Sequence, residues 1–186
     1  MVNAMLVLAI VAGLAIAYLI VTYNTLIRLR QRVHNAWSQM DVQLKRRYDL
    51  IPNMINAVKG YAQHEKETLD KVTKARTIAM GAGSVAEQAR AETLLTGALK
   101  TLFAVAEAYP ELKANANFIQ LQAELSDTEN KIAFARQFYN DTVQIFNTKI
   151  ELFPTNLLAG MLGFEIVDYF TLQDEAQARQ NVKVNF

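Results

Sequence analysis

The hydrophobic and polar positions divide the chain into two unequal regimes. From Ala4 to Val21, 18 consecutive residues carry no charge, inside an uncharged run that extends from Met1 through Ile27. Ten of those 18 are Leu, Ile or Val. Each such residue near a bilayer centre favours insertion by roughly 0.3–0.6 kcal/mol, and the run approaches the ~20 residues needed to cross the hydrocarbon core. The pattern predicts one membrane-spanning helix, with residues 1–23 as an N-terminal transmembrane anchor. A cleaved leader would use Ala15-Ile16-Ala17 as its small-residue site, but no Lys or Arg precedes the run and the apolar stretch continues past that site to Val21. A buried core helix would need a much larger domain around it.

Beyond Val21 the apolar residues recur at helical spacing. Leu26, Val33 and Met40 repeat every seven residues, interleaved with Trp37, Leu44 and Ile51, one stripe on a helix that continues out of the membrane without a flexible tether. Pro52 lacks an N–H and disfavours helical geometry at Ile51, so a kink or short break is expected between Asp49 and Asn53. A second helical stretch then runs to about Met80, with Ile55, Val58, Ala62, Leu69, Val72 and Arg76 on its face. Gly81-Ala82-Gly83-Ser84 is the strongest turn signal, and Ser84 with Glu87 has the spacing of a capping box. The third helix extends to about Ala108, with Ala91, Leu94, Leu95, Ala98, Leu102 and Val105 expected to face inward, and Tyr109-Pro110 ends it. The fourth is the longest. Phe118, Leu121, Leu125, Thr128, Ile132, Ala135, Tyr139, Thr142 and Phe146 keep 4-3 spacing until Phe153-Pro154 stops the run, which points to coiled-coil-like packing. No strand-type alternation of useful length is present. The predicted fold is all-α: an antiparallel four-helix-type bundle of long helices over residues 24–170, preceded by one transmembrane helix and followed by a polar tail over 171–186.

Composition narrows the partners. Hydrophobic residues make up 52% of the chain and charged residues 20%, with a net charge of +1. That balance gives no global field towards nucleic acid. The absence of cysteine removes disulfides and thiolate metal sites. The basic residues are placed asymmetrically: none precedes the anchor, whereas Arg28, Arg30 and Arg32 follow it with no acid before Asp41. The positive-inside rule therefore places the C-terminal side in the cytoplasm and a very short N-terminus outside, with the three arginines within reach of anionic headgroups. Lys45, Arg46 and Arg47 lie roughly 25 Å further along a straight helix and are expected on the bundle surface. Ala9, Gly13 and Ala17 share one face of the anchor; such spacing either lets two helices approach closely or arises by chance.

Candidate chemistry is sparse. His64-Glu65 lacks the second histidine of a zinc helix, since Thr68 stands where it is needed. Neither histidine has a glutamate three residues before it, as a di-iron bundle demands. Gly81-Ala82-Gly83 lacks the Lys-Ser/Thr of a phosphate loop, and the serines suggest no nucleophile. The chain is therefore read as a non-enzyme with no catalytic, cofactor or metal residues. Three polar or apolar features stand out. Asp41, Arg47 and Asp49 near Pro52 form either a buried ion-pair network or separate exposed charges. Asn140 and Asn147, one heptad apart and off the seam, are expected at the surface, with a polar contact to a partner helix as the alternative. The apolar stretch Leu157–Phe164, followed by Tyr169-Phe170, either covers the open end of the bundle or docks on a subunit, a partner or the membrane.

The segment Trp37-Ser38-Gln39-Met40-Asp41-Val42-Gln43-Leu44-Lys45-Arg46-Arg47-Tyr48-Asp49-Leu50-Ile51-Pro52-Asn53 resembles the signature of the LemA family. So do Val58-Lys59-Gly60-Tyr61-Ala62, Ala108-Tyr109-Pro110-Glu111-Leu112-Lys113-Ala114-Asn115, Tyr139-Asn140 and Phe153-Pro154-Thr155-Asn156. The similarity covers nearly the whole chain. It implies a bacterial inner (cytoplasmic) membrane protein with a cytoplasmic antiparallel helical bundle, in a family without a settled biochemical activity. Read together, these features predict a membrane-anchored, non-enzymatic scaffold that associates with itself and with envelope proteins. A regulatory or adaptor subunit of a membrane enzyme such as a protease is the alternative.

Overall fold

A computed structural model describes residues 2–62 and 64–172; the expected polar tail lies, from residue 173 onward, outside the described residues. Among the described residues all regular structure is helical. The elements are α1 (Val2–Lys59), α2 (Lys66–Met80), α3 (Val85–Glu107), α4 (Pro110–Lys113), α5 (Ala116–Glu151) and α6 (Thr155–Ala159). The chain divides into two compact units. One comprises Met1–Ser38 and Phe138–Val167, the other Gln39–Gln137 and the chain from Asp168 onward.

In the first unit, α1 changes character at Thr22. Every side chain from Asn3 to Val21 is exposed, whereas Thr22, Leu26, Val33 and Ala36 are buried. The exposed stretch is the uncharged one, and α1 is long and apolar enough there to cross a membrane. Tyr139, Val143, Phe146 and Ile150 of α5 are buried in the same unit. Trp37 meets Tyr139 edge-on with ring centroids 5.4 Å apart, an arrangement the aromatic quadrupole favours.

In the second unit, Met40, Leu44, Ile51, Met54 and Val58 of α1 are buried, as are Leu69 and Val72 of α2 and Leu95, Leu99 and Leu102 of α3. Phe118, Leu125 and Ile132 of α5 are buried too, and α2 and α4 pack against α3. Ser84 caps α3 as its spacing predicts, while the returning Glu87 carboxylate meets the residue before the cap rather than Ser84 itself. The Glu87 N–H donates to Ser84 Oγ at 3.2 Å, while the Glu87 carboxylate accepts from the Gly83 N–H at 3.0 Å.

Three expectations need correction here. No break occurs at Pro52; α1 runs through it to Lys59, and the turn comes later, before Lys66. Proline leaves the carbonyl four residues earlier, that of Tyr48, without its helical donor. Arg76 of α2 supplies one, its Nε donating to Tyr48 O at 2.8 Å. Leu94, expected to face inward, is 58% exposed, because the buried stripe of α3 runs through Gln88, Glu92, Leu95, Leu99, Leu102 and Ala106. Arg47, expected on the surface with Lys45 and Arg46, is 2% exposed.

Candidate functional site

Three buried polar residues of the second unit, Arg47, Gln88 and Glu92, share one cluster. The Arg47 guanidinium donates to Glu92 Oε2 at 2.6 Å, to Thr96 Oγ1 at 2.9 Å and to Glu129 Oε1 at 2.8 Å. Tyr48, the next residue on α1, donates its hydroxyl to Glu92 Oε1. Gln88 Nε2 lies 2.7 Å from the Tyr48 hydroxyl and 2.9 Å from Glu92 Oε1, and it also donates to Ala79 O at 3.2 Å. Four helices therefore meet in one hydrogen-bonded cluster: α1 supplies Arg47 and Tyr48, α2 Ala79, α3 Gln88, Glu92 and Thr96, and α5 Glu129. A buried carboxylate is tolerated only when paired, and Glu92 is paired on both oxygens.

Local charge and burial set the protonation of this cluster. Burial raises the Tyr48 hydroxyl far above the ordinary tyrosine range, and its hydrogen bond to Glu92 and the Glu92 charge push the same way. Tyr48 stays protonated and acts as a donor. Burial also raises Glu129; Glu92 adds to this, and attraction to Arg47 opposes it without cancelling it. Among the described residues, the buried atoms Arg47 Nε and Gln43 Oε1 lack a hydrogen-bond partner. They belong to residues one helical turn apart and are complementary, one a donor and one an acceptor. The arrangement ties α1, α2, α3 and α5 together, with Glu129 at its partly exposed rim.

The ion-pair network expected around Asp41, Arg47 and Asp49 is thus built from other acids. Asp41 pairs with exposed Lys45 one turn away at 2.7 Å, a surface contact of little energetic worth. Asp49 is exposed. Glu92, Glu129 and Gln88 were not singled out by the sequence reading.

Two signature segments far apart in sequence also meet in this unit. Tyr61 accepts at its hydroxyl from Asn115 Nδ2 at 2.9 Å, and Tyr109 donates to Glu65 Oε1 at 3.3 Å. Asn115 Oδ1 in turn accepts from the Phe118 N–H at 3.1 Å in the first turn of α5, and Pro110 opens α4, where a missing N–H is harmless. A 660 Å³ groove lies nearby, lined by Ile55, Lys59, Lys66 and Asp70 among others. Among the described residues no cluster of His, Asp and Glu is placed to hold a metal ion.

The first unit carries the anchor-proximal residues. Arg28 Nε donates to Asn24 O at 3.2 Å, and Arg32 is exposed. Arg30 places its guanidinium 5.3 Å from the Phe164 ring centre, within cation–π range. Ala9, Gly13 and Ala17 are exposed, and the space a Cβ on Gly13 would enter is open. Asn140 is half-buried and hydrogen-bonded or otherwise engaged. Asn147, expected at the surface, is 5% exposed. The chain after α6 returns over its face, and the Asn147 amide donates to Val167 O at 2.8 Å while accepting from the Val167 N–H at 3.0 Å. Pro154 precedes α6, whose first residue, Thr155, is buried with its Oγ1 3.4 Å from the Tyr18 hydroxyl. In the apolar stretch after it, Ala159 and Phe164 are buried while Leu157, Met161 and Leu162 are exposed.

Comparison with known proteins adds to this geometry. A family model described as the LemA family matches residues 36–186. Protein LemA of Metamycoplasma hominis is 33% identical over 151 residues, covering 79% of this chain and 68% of its own length. Magnetosome protein MamQ 2 of Paramagnetospirillum magneticum is 26% identical over 196 residues, covering 91% of this chain and 72% of its own length. Magnetosome protein MamQ of Magnetospirillum gryphiswaldense is 25% identical with the same coverage.

Proposed function

The chain belongs to the LemA family, and from that premise we propose that it is a membrane-anchored, non-enzymatic scaffold of the bacterial cell envelope that associates with itself. In this reading α1 crosses the inner membrane through its exposed apolar stretch. Arg28, Arg30 and Arg32 hold the C-terminal side in the cytoplasm, where the long helices form an antiparallel four-helix bundle. The observation that carries the proposal is how the polar and apolar groups are disposed. Buried Arg47, Gln88 and Glu92 bond one another and tie four helices together, which suits a structural role. Meanwhile Phe138 and Ile145, one heptad apart on α5, present large apolar side chains to solvent. A solvent-facing pair of this kind at heptad spacing suits a helix of a second copy. The accessible small-residue face at Ala9, Gly13 and Ala17 offers a contact within the bilayer to the same neighbour. Relatives named as magnetosome proteins match 91% of this chain, which supports treating the chain as one functional unit.

Photo-crosslinking in intact membranes tests this directly. A benzophenone side chain in place of Phe138 should give mainly crosslinks between copies of this chain, and Ile145→Asp should reduce them severalfold. Capture of a single unlike protein with few self-crosslinks would favour the adaptor reading over the scaffold.

A further inference from the structure

The segment between Glu151 and Glu165 is uncharged over its whole length, and only part of it faces the protein. Thr155 and Ala159, one turn apart on α6, are buried. The other side carries Phe153, Leu157 and Met161, with Phe153 78% and Met161 85% exposed. Such exposure is costly in water, so what lies against this face matters.

Two contacts fix where the face sits along α1. Thr155 Oγ1 lies 3.4 Å from the hydroxyl of Tyr18, which is 39% exposed and belongs to the uncharged, exposed stretch of α1 ending at Val21. At a rise of ~1.5 Å per residue, Tyr18 is only about 4.5 Å short of that end. Further along, the ring of Phe164 meets Tyr23 edge-on at 6.0 Å, with the Arg30 guanidinium over its face. The apolar segment is therefore tied to the last turn of the membrane-crossing stretch at one end and to the first turns beyond it at the other. Tyrosine and arginine at this depth are the residues that membrane interfaces favour.

We propose that the α6 segment is a second membrane contact, in which Phe153, Leu157 and Met161 insert shallowly into the leaflet from which α1 emerges. The inference rests on the reading of α1 as the anchor. The lipid surface is the occupant because the position is imposed. A side chain projecting from α6 at the level of Tyr18 meets the boundary between headgroups and acyl chains as soon as α1 crosses the bilayer. Amphipathic segments at that boundary bury their apolar face in it while their polar face stays with protein or water. Glu151 and Glu165 bracket the inserted stretch and limit its extent.

The lack of native cysteine makes site-directed spin labelling straightforward. Single variants Phe153→Cys and Met161→Cys of the full chain, with Leu8→Cys within the span and Lys100→Cys at an exposed position of α3, are labelled. They are then placed in nanodiscs of phosphatidylcholine and phosphatidylglycerol. Collisions with oxygen, which partitions into lipid, are compared with collisions with a water-soluble nickel chelate. The expected result is an oxygen-to-nickel ratio at 153 and 161 severalfold above that at 100 and below that at 8. Ratios at 153 and 161 equal to that at 100, with 8 still lipid-exposed, overturn the inference and leave the anchor standing. Low collision rates with both reagents at 153 and 161 overturn it in favour of a protein neighbour. A water-like ratio at 8 overturns the anchor and this inference together.

Discussion

Arg47 is a cation held away from water by two carboxylates and a hydroxyl. Glu92, its nearest acid at 2.6 Å, is equally buried. Removing one partner of a buried pair leaves the other charge uncompensated, at a cost of about 3–5 kcal/mol. Arg47→Met is therefore expected to lower the unfolding free energy by that order in urea titrations. Tyr48→Phe, which removes one donor to Glu92, should cost about 1–3 kcal/mol. Glu129 gives the cluster a pH signature. Its raised folded value means that the native chain holds this proton more tightly than the unfolded chain does. The resulting stabilisation is fully present below the ordinary glutamate value of 4.5 and is lost as pH rises through the folded value. Glu129→Gln abolishes that dependence. The difference in urea midpoint between variant and native chain should shift in the variant's favour as pH rises through this window; a shift in the other direction contradicts the assignment.

At the scale of the elements, Pro52 and Arg76 form a compensating pair. Arg76→Met leaves the Tyr48 carbonyl without a donor, an expected loss of about 1–3 kcal/mol. Pro52→Ala restores an N–H to that carbonyl from within α1, so in the Arg76→Met background it should recover a substantial part of the loss. Additive effects in this double-mutant cycle would show that the two sites are independent. The same helices explain what the sequence made legible. The stripe of α1 and the seam of α5 were read almost residue for residue, because leucine, valine and phenylalanine mark those positions. The Ser84 cap followed from the spacing of two residues. The stripe of α3 was displaced onto Leu94 because two of its own positions are polar: Gln88 and Glu92 stand in the same 4-3 register as Leu95, Leu99, Leu102 and Ala106. Arg47 likewise occupies the register of Met40, Leu44, Ile51 and Met54 in α1. A polar residue in a seam position is the signal that was available. Which acid meets which base was not, because periodicity within one helix carries no information about the register between helices. Asn147 was misplaced for a related reason: its partner, the backbone of Val167, belongs to a chain segment without a periodic pattern.

At the scale of the whole molecule, the account joins a family, an anchor and an associating surface. The LemA membership and the membrane-competent stretch of α1 are the firm base, and the scaffold reading turns on whether copies of the chain meet. Aspartate at an apolar contact introduces an unpaired charge into the interface, whereas on a free surface it is nearly neutral. The measurement that bears most directly on this is light scattering of the full chain in mild detergent, with the detergent contribution subtracted, beside the double variant Phe138→Asp, Ile145→Asp. The account predicts a mass of two or more chains for the native protein and a lower mass for the variant, with helical circular dichroism unchanged. A native protein that remains one chain per particle at every concentration would contradict it.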